Sequence, residues 1–185
     1  DSAAGKLLIH QLDVADDASV KEFAKAIGPA PIDIVIANAG YFGGERQHKL
    51  GDIDFEEMAF TLNTNTLGAL RLADALAKNL KAARGRFVAI TSRMGSIAEA
   101  GSGYLGYRAS KAALNMVVHA LARDIGEFGG VAVTMSPGWA KTDMGGKGAP
   151  QEVDATVREM RKLIGALGPA DNGRFLNWKG SEVPW

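Results

Sequence analysis

Short apolar runs alternate along the chain with longer amphipathic stretches. The runs, rich in Val, Ile and Leu, predict strands at residues 7–12, 32–37, 86–91 and 131–136. The stretches between them predict helices at about residues 18–27, 54–80 and 106–128. Near-continuous apolar strands separated by helices are typical of parallel sheets buried on both faces. The pattern therefore predicts an α/β fold, a doubly wound parallel sheet in three α/β/α layers, with residues 1–185 as one domain.

Each predicted strand ends in polar or glycine-rich residues, at positions 12–14, 37–40, 91–95 and 136–138. In an open parallel sheet the carboxyl ends of the strands meet at one edge, and ligands bind in the crevice outside that edge. A turn after one strand carries no information by itself. The four together predict a ligand site along this edge.

Tyr107 and Lys111 lie four residues apart in the predicted helix at 106–128, so they share one helix face. A nearby ammonium favours the phenolate and is expected to lower the Tyr107 pKa from its usual value near ~10. The alternative interpretation is a pair of solvated neighbours on a surface helix. Tyr104 does not form such a pair, because Arg108 stands four residues after it.

Composition narrows the class of protein. The chain has 21 basic and 21 acidic residues and no cysteine, which argues against nucleic-acid binding, disulfides, thiolate metal sites and a cysteine nucleophile. His10, His48 and His119 show no ligand spacing, so no metal site is predicted. No apolar run approaches the ~20 residues of a membrane span. These features predict a soluble, cytoplasmic, globular domain.

The motifs at the strand ends resemble those of the short-chain dehydrogenase/reductase family, and the resemblance covers essentially the whole chain. They are Asp13-Val14, Asn38-Ala39-Gly40, Asn65-Thr66-Leu67-Gly68, Ser92, Tyr107-Arg-Ala-Ser-Lys111, and Pro137-Gly138 followed by Thr142. Finer features are similar to the sniffer and C-factor branch of small carbonyl reductases. The resemblance implies a Rossmann-like fold and an oxidoreductase that interconverts carbonyls and alcohols.

The resemblance also implies roles for four catalytic residues. Tyr107 would be the general acid in carbonyl reduction, and Lys111 would lower its pKa and hydrogen-bond the nicotinamide ribose. Ser92 would hold the substrate oxygen, and Asn65 would link Lys111 through water into a proton relay. Asn63 and Ser96 are alternatives to Asn65 and Ser92. The positions of Asn65 relative to Gly68 and of Ser92 relative to Gly95 match the family pattern.

A second set of residues would contact the cofactor, NAD(P)(H), by the same resemblance. It comprises Asp13, Val14, Asn38, Ala39, Gly40, Tyr107, Lys111, Pro137, Gly138 and Thr142. Asp13 could instead cap a helix, residues 38–40 could form a plain tight turn, and Pro137-Gly138 an ordinary break after a strand.

Residues 142–167, rich in glycine and then helical, would form a substrate lid. Trp139, Met144, Met160 and Leu163 are candidate walls of an apolar pocket for an aldehyde or ketone, although core packing explains them equally well.

Family members begin with a strand, a Gly-x-x-x-Gly-x-Gly loop, a helix and a second strand, whereas this sequence starts just before the family's third strand. That unit of about 30 residues would hold the pyrophosphate and select NAD or NADP, so the preference stays open. Without it the strand at 7–12 lacks a neighbour and the strand at 32–37 faces an open edge.

The favoured interpretation is an N-terminally truncated NAD(P)-dependent reductase. The alternatives are a non-catalytic signalling protein, a subunit whose sheet a partner completes, and an inactive fragment. A homodimer or homotetramer through the helices at 54–80 and 106–128 is also expected from the resemblance.

Overall fold

The computed structural model describes residues 7–43 and 50–185, and a parallel sheet forms its centre. The strands are β1 (Ile34–Ala37), β2 (Arg86–Ile90), β3 (Val131–Ser136) and β4 (Phe175–Asn177), in the order β1-β2-β3-β4. Val35 pairs with Phe87 across β1 and β2, and Val88 with Val133 across β2 and β3. All three pairings are parallel.

Six α-helices are described; the first precedes β1 and the other five lie between strands. They are α1 (Asp17–Ile27), α2 (Phe55–Leu62), α3 (Gly68–Ala75), α4 (Ala77–Ala83), α5 (Leu105–Glu127) and α6 (Val153–Ala166). Asp54 caps α2 by accepting a hydrogen bond from the Glu57 amide at 2.9 Å. The predicted helix at 54–80 is therefore present but divided, by a π-helical turn (Asn63–Leu67) and a break at Leu76.

Apolar side chains cover both faces of the sheet. On one face Val35, Phe87 and Ala89 pack with residues of α3, α4 and α5. On the other face Val88, Val133 and Met135 pack with α6. Consecutive residues of a strand point to opposite faces, so a fully apolar strand such as β3 fills both layers. The predicted three-layer parallel α/β fold is confirmed.

The predicted strand at residues 7–12 is wrong. These residues form no regular structure, and Leu7, Leu8 and Ile9 are exposed. A strand needs a hydrogen-bonded neighbour, and among the residues that the structure describes β1 pairs with β2 alone. The other edge of β1 is open, and Ile34 and Ile36 stay 39% and 47% exposed.

The strand β4 is an addition that the apolar pattern did not predict. It has only three residues, too few to show a period. It pairs with β3, and Val183 then donates its amide to the Phe175 carbonyl at 2.8 Å, which fastens the last residues of the chain to the sheet. In the described part of the chain, no helix is both long and apolar enough to cross a membrane.

Candidate active site

Tyr107 and Lys111 lie in the first turns of α5, and both are nearly buried, with 8% and 4% of their surface exposed. A short 3₁₀ turn, Arg93–Gly95, lies directly against this part of the helix. The close approach requires glycine, because a Cβ on Gly95 would lie 2.7 Å from the carbonyl carbon of Lys111. Ser92, the residue that caps the turn, is thereby brought to Tyr107.

The Ser92 hydroxyl lies near the phenol of Tyr107. Ser92 Oγ accepts the Met94 amide at 3.1 Å, so the hydroxyl is fixed to its own turn. Burial raises the pKa of Tyr107 above its ordinary value of 10.0, and the nearby Ser92 hydroxyl opposes that rise. The phenol is therefore protonated at neutral pH.

The expected effect of Lys111 on the Tyr107 pKa is not found in this structure. Lys111 Nζ donates to the carbonyl of Ile90 at 2.8 Å and lies 5.7 Å from the centre of the Tyr107 ring. Burial lowers the pKa of Lys111 itself from 10.5 to about 8. Among the described residues no carboxylate pairs with this ammonium.

Asn65 lies in the π-helical turn and is 1% exposed. Its Oδ1 accepts the Tyr41 amide at 2.6 Å, and its Nδ2 donates to the Tyr41 carbonyl at 2.8 Å and to Ser110 Oγ at 2.9 Å. A Cβ added to Gly40 would lie 3.5 Å from both Asn65 Oδ1 and Lys111 Nζ. The structure therefore brings Asn65 and Gly40 to Lys111.

The two alternative residues point elsewhere. Asn63 Nδ2 donates to the carbonyl of Ala15 at 3.1 Å, in the segment before α1. Ser96 Oγ accepts the amide of Glu99 at 3.2 Å and closes the following loop. An extra residue in a helical turn re-aims the side chains around it, which explains why position 65 and not 63 reaches the site.

Several expected cofactor residues line a cavity of about 150 Å³ at the carboxyl end of β1. Its walls include Leu12, Val14, Asn38, Ala39 and Gly68. Gly68 has no room for a side chain, since a Cβ there would lie 2.7 Å from Val14 Cγ2. The absence of a side chain lets the start of α3 lie against Val14.

Asp13 lies beside this cavity with its side chain exposed. Its Oδ1 accepts the amide of Ala15 at 2.9 Å, while Asp16 caps α1. The alternative interpretation of Asp13 as a helix cap is therefore wrong, because Asp16 is the cap and α1 begins at Asp17. One carboxylate oxygen of Asp13 closes a local turn, and the group remains open to solvent.

Pro137, Gly138 and Thr142 follow β3 at the same edge of the sheet. Gly138 has a φ of 77°, and a Cβ there would collide with the side chain of Gln151. Thr142 Oγ1 accepts the amide of Gly145 at 3.0 Å, so its hydroxyl stabilises the turn that follows. Gln151 was not among the expected site residues.

The candidate walls of the lid divide into two groups. Met160 is buried in the core between α6 and the sheet, and Leu163 packs against the same cluster, so the core interpretation holds for both. Trp139 and Met144 are 57% and 50% exposed. Trp139 Nε1 donates to the carbonyl of Gly145 at 2.7 Å, which closes the loop on itself.

Phe42 is a neighbour of Tyr107 that sequence reasoning missed. The centres of the two rings are 4.7 Å apart. An aromatic pair, Tyr41-Phe42, directly after Gly40 was the available signal, but only the fold shows which ring turns to Tyr107.

The residues present fit part of a nicotinamide dinucleotide. The cavity at β1 is apolar, Gly40 presents bare backbone, and Lys111 Nζ has donors beyond its bond to Ile90. Among the described residues, no cluster of His, Cys, Asp or Glu could hold a metal ion.

The chain is similar to known proteins in sequence. A family model described as enoyl-(acyl carrier protein) reductase, a short-chain dehydrogenase model, matches residues 1–175. The C-signal of Myxococcus xanthus is 42% identical over 168 residues, covering 90% of this chain and 100% of that protein. The 1-hydroxy-2-glutathionyl-2-methyl-3-butene dehydrogenase of Rhodococcus sp. strain AD45 is 31% identical over 193 residues, covering 100% of this chain and 83% of the relative.

Solved structures give the same result. The carbonyl reductase Sniffer of Drosophila melanogaster matches with a TM-score of 0.89 at 27% identity, over 95% of this chain and 77% of that one. The NADPH-bound carbonyl reductase from chicken fatty liver matches with a TM-score of 0.86 at 33% identity, over 94% and 75%. The expected likeness to the sniffer-type carbonyl reductases is confirmed. The chain belongs to the short-chain dehydrogenase/reductase family of oxidoreductases.

Proposed function

We propose that the protein is an NAD(P)-dependent oxidoreductase that reduces an aldehyde or ketone to an alcohol, or catalyses the reverse reaction. The observation that carries the proposal is that the Ser92 hydroxyl lies near the Tyr107 phenol, next to the buried Lys111. Two neighbouring hydroxyls can both donate to one substrate oxygen, at about 3 Å from each. The bound cofactor supplies the hydride.

The charge states of the site favour carbonyl reduction at neutral pH. Burial keeps the Tyr107 phenol protonated, so it can donate the proton that the alcohol oxygen needs. Ser92 holds that oxygen while the proton moves. Lys111, with a pKa of about 8, is mostly charged at neutral pH and adds positive charge beside the reacting oxygen.

Cofactor contacts are proposed for the residues that line the edge of the sheet. Val14, Asn38 and Ala39 would contact the adenosine side, together with the exposed carboxylate of Asp13. Gly40, Lys111 and Asn65 would lie near the ribose, and Pro137, Gly138 and Thr142 near the nicotinamide. The solved carbonyl reductases with bound NADP(H) support this assignment, and the choice between NAD and NADP stays open.

The test is consumption of NADPH or NADH with a panel of aldehydes and ketones. Ser92→Ala and Tyr107→Phe are expected to lower kcat/KM by about 10²–10⁴-fold. Ser96→Ala is the matched control, because it removes a hydroxyl close in sequence that accepts the Glu99 amide. Unchanged turnover in Tyr107→Phe would contradict the assignment of the general acid.

A second candidate is a signalling protein on the same scaffold, which the 42% identity to all of C-signal favours. Nucleotide binding without turnover of any carbonyl in the panel would support this candidate. Turnover that disappears in Tyr107→Phe would support the enzyme. An inactive chain that binds neither cofactor would point to an incomplete site.

A homodimer or homotetramer through the helices around α2, α3 and α5 is also proposed. Phe60, Leu67 and Met116 are 51%, 44% and 66% exposed on these segments, so a contact between subunits there would bury apolar surface. Sedimentation of the wild type and of Met116→Lys tests it: loss of the larger species in the variant is expected. A wild type that sediments as a monomer would contradict the proposed oligomer.

A further inference from the structure

Three aromatic rings lie in contact at the start of α5. The rings of Phe42 and Tyr107 are 4.7 Å apart at 63°, and those of Phe42 and Tyr104 are 5.2 Å apart at 40°. Both distances fall in the range of favourable aromatic pairs. Tyr107 is 8% exposed, while Phe42 and Tyr104 are half-buried, so ring surface remains open next to the phenol.

Tyr104 occupies a position that local preferences assign to another residue. It has φ 53° and ψ 38°, a left-handed conformation that disfavours residues with a Cβ. It is also the N-cap of α5, yet it makes no side-chain capping bond. Asparagine would suit both the conformation and the cap. Tyr104, three positions before Tyr107, therefore has a strained backbone conformation, and such strain is common at binding sites.

Phe42 is held in place through its neighbour. The amide and carbonyl of Tyr41 are both bound by the Asn65 side chain, at 2.6 and 2.8 Å. The Tyr41 ring packs on Phe60, with centres 5.0 Å apart, and its hydroxyl donates to Glu57. With the backbone fixed and Tyr41 turned to α2, Phe42 is turned to α5 and Tyr107.

We propose that Phe42 and Tyr104 form a rigid aromatic wall that selects carbonyl substrates with an aromatic ring attached to the carbonyl carbon. The flat face of such a ring stacks on the wall while its carbonyl oxygen reaches Ser92 and Tyr107. A saturated ring of the same size buries similar apolar area but loses the stacking. This inference rests on the proposed function.

The test compares kcat/KM for benzaldehyde with that for cyclohexanecarbaldehyde. The two aldehydes differ in intrinsic reactivity, so the informative quantity is the change in their ratio between variants. Phe42→Leu and Tyr104→Asn are expected to lower the ratio by about two- to tenfold, the range that a ring–ring contact gives. Tyr104→Phe keeps the ring and should keep the ratio.

Arg84→Asn is the matched control for Tyr104→Asn. Arg84 is the other described non-glycine residue with a positive φ, at 50°, and it ends α4 outside the site. Both substitutions should raise the melting temperature, because asparagine tolerates this conformation. Only Tyr104→Asn should also lower the ratio. If the ratio of the two kcat/KM values is equal in wild type, Phe42→Leu and Tyr104→Asn, the proposed aromatic wall is wrong.

Binding of unreactive analogues separates this inference from the proposed function. Benzamide and cyclohexanecarboxamide are titrated against the full chain and followed by saturation-transfer NMR. Tighter binding of benzamide to the wild type than to Phe42→Leu supports the wall even if no aldehyde is reduced. Reduction of aldehydes without any preference for aromatic ones would support the proposed function and contradict the proposed aromatic wall.

Discussion

Replacing Lys111 with methionine should stabilise the protein at neutral pH while abolishing catalysis. The ammonium is 4% exposed, and burial lowers its pKa from 10.5 to about 8. At 1.36 kcal/mol for each pKa unit, the folded state carries a penalty of about 3 kcal/mol for the charged form. Loss of the bond to the Ile90 carbonyl offsets about 1 kcal/mol. A net gain of about 2 kcal/mol in the free energy of unfolding is expected for Lys111→Met at pH 7.

The pH dependence of that gain follows from the lowered pKa. Below about pH 8 Lys111 is charged in both the folded and the unfolded chain, and the full penalty applies. Between about pH 8 and 10.5 the folded chain releases the proton while the unfolded chain keeps it. The wild type therefore becomes more stable relative to Lys111→Met as the pH rises through this window.

The assay is urea denaturation of wild type and Lys111→Met at pH 7 and at about pH 10, with turnover measured in parallel. Lys78→Met, on the exposed surface of α4, is the control for removal of a lysine that is not buried. The reasoning would be refuted if Lys111→Met were less stable than wild type at pH 7. A stability difference that stays constant between the two pH values would refute it equally.

Three further predictions concern the packing and protonation of the site. Gly95→Ala should cost about 1–3 kcal/mol of stability, because the added Cβ would overlap the backbone of Lys111. Gly165→Ala, in open space on α6, is the control and should gain up to about 1 kcal/mol. Thermal melts compare the two variants, and equal shifts of the melting temperature would contradict the close contact at Gly95. Asn65→Ala should lower the free energy of unfolding by about 2–4 kcal/mol, because it leaves the amide and carbonyl of Tyr41 unpaired. Urea denaturation should show a smaller loss of stability for Asn63→Ala, because the Asn63 side chain makes one longer hydrogen bond. Carbonyl reduction should fall in two steps as the pH rises. The first, partial step lies near pH 8, where Lys111 loses its charge, and the second lies above the ordinary tyrosine pKa of 10.0, since burial raises the pKa of Tyr107. Complete loss of activity below pH 8 would assign the proton to another group.

The alternation of apolar and polar residues was sufficient to predict most of the fold. β3 was predicted at the bounds that the structure shows, because a strand buried on both faces must be apolar throughout. The shared face of Tyr107 and Lys111 followed from helical spacing. The burial of Gly95 against Lys111 agrees with the motif that singled out Ser92.

Other features depended on contacts between distant parts of the chain. Residues 7–12 have the composition of a strand, but a strand forms only where a second one offers hydrogen bonds, and that cannot be read from the segment itself. The same limit applies to Phe42, whose position beside Tyr107 is set by the bonds between Asn65 and Tyr41. The spacing of residues along the sequence does not predict which distant residues become neighbours in the fold.

The protonation of Tyr107 shows most clearly what the sequence determines and what the tertiary structure decides. The sequence determined that a phenol and an ammonium share a helix face, and from that pair alone a lowered Tyr107 pKa was expected. The tertiary structure decided the opposite direction, because burial removes water from the phenol, while the ammonium of Lys111 bonds to the carbonyl of Ile90 and does not offset that burial. Helical period is a local property of the chain, whereas desolvation depends on everything that packs around a group.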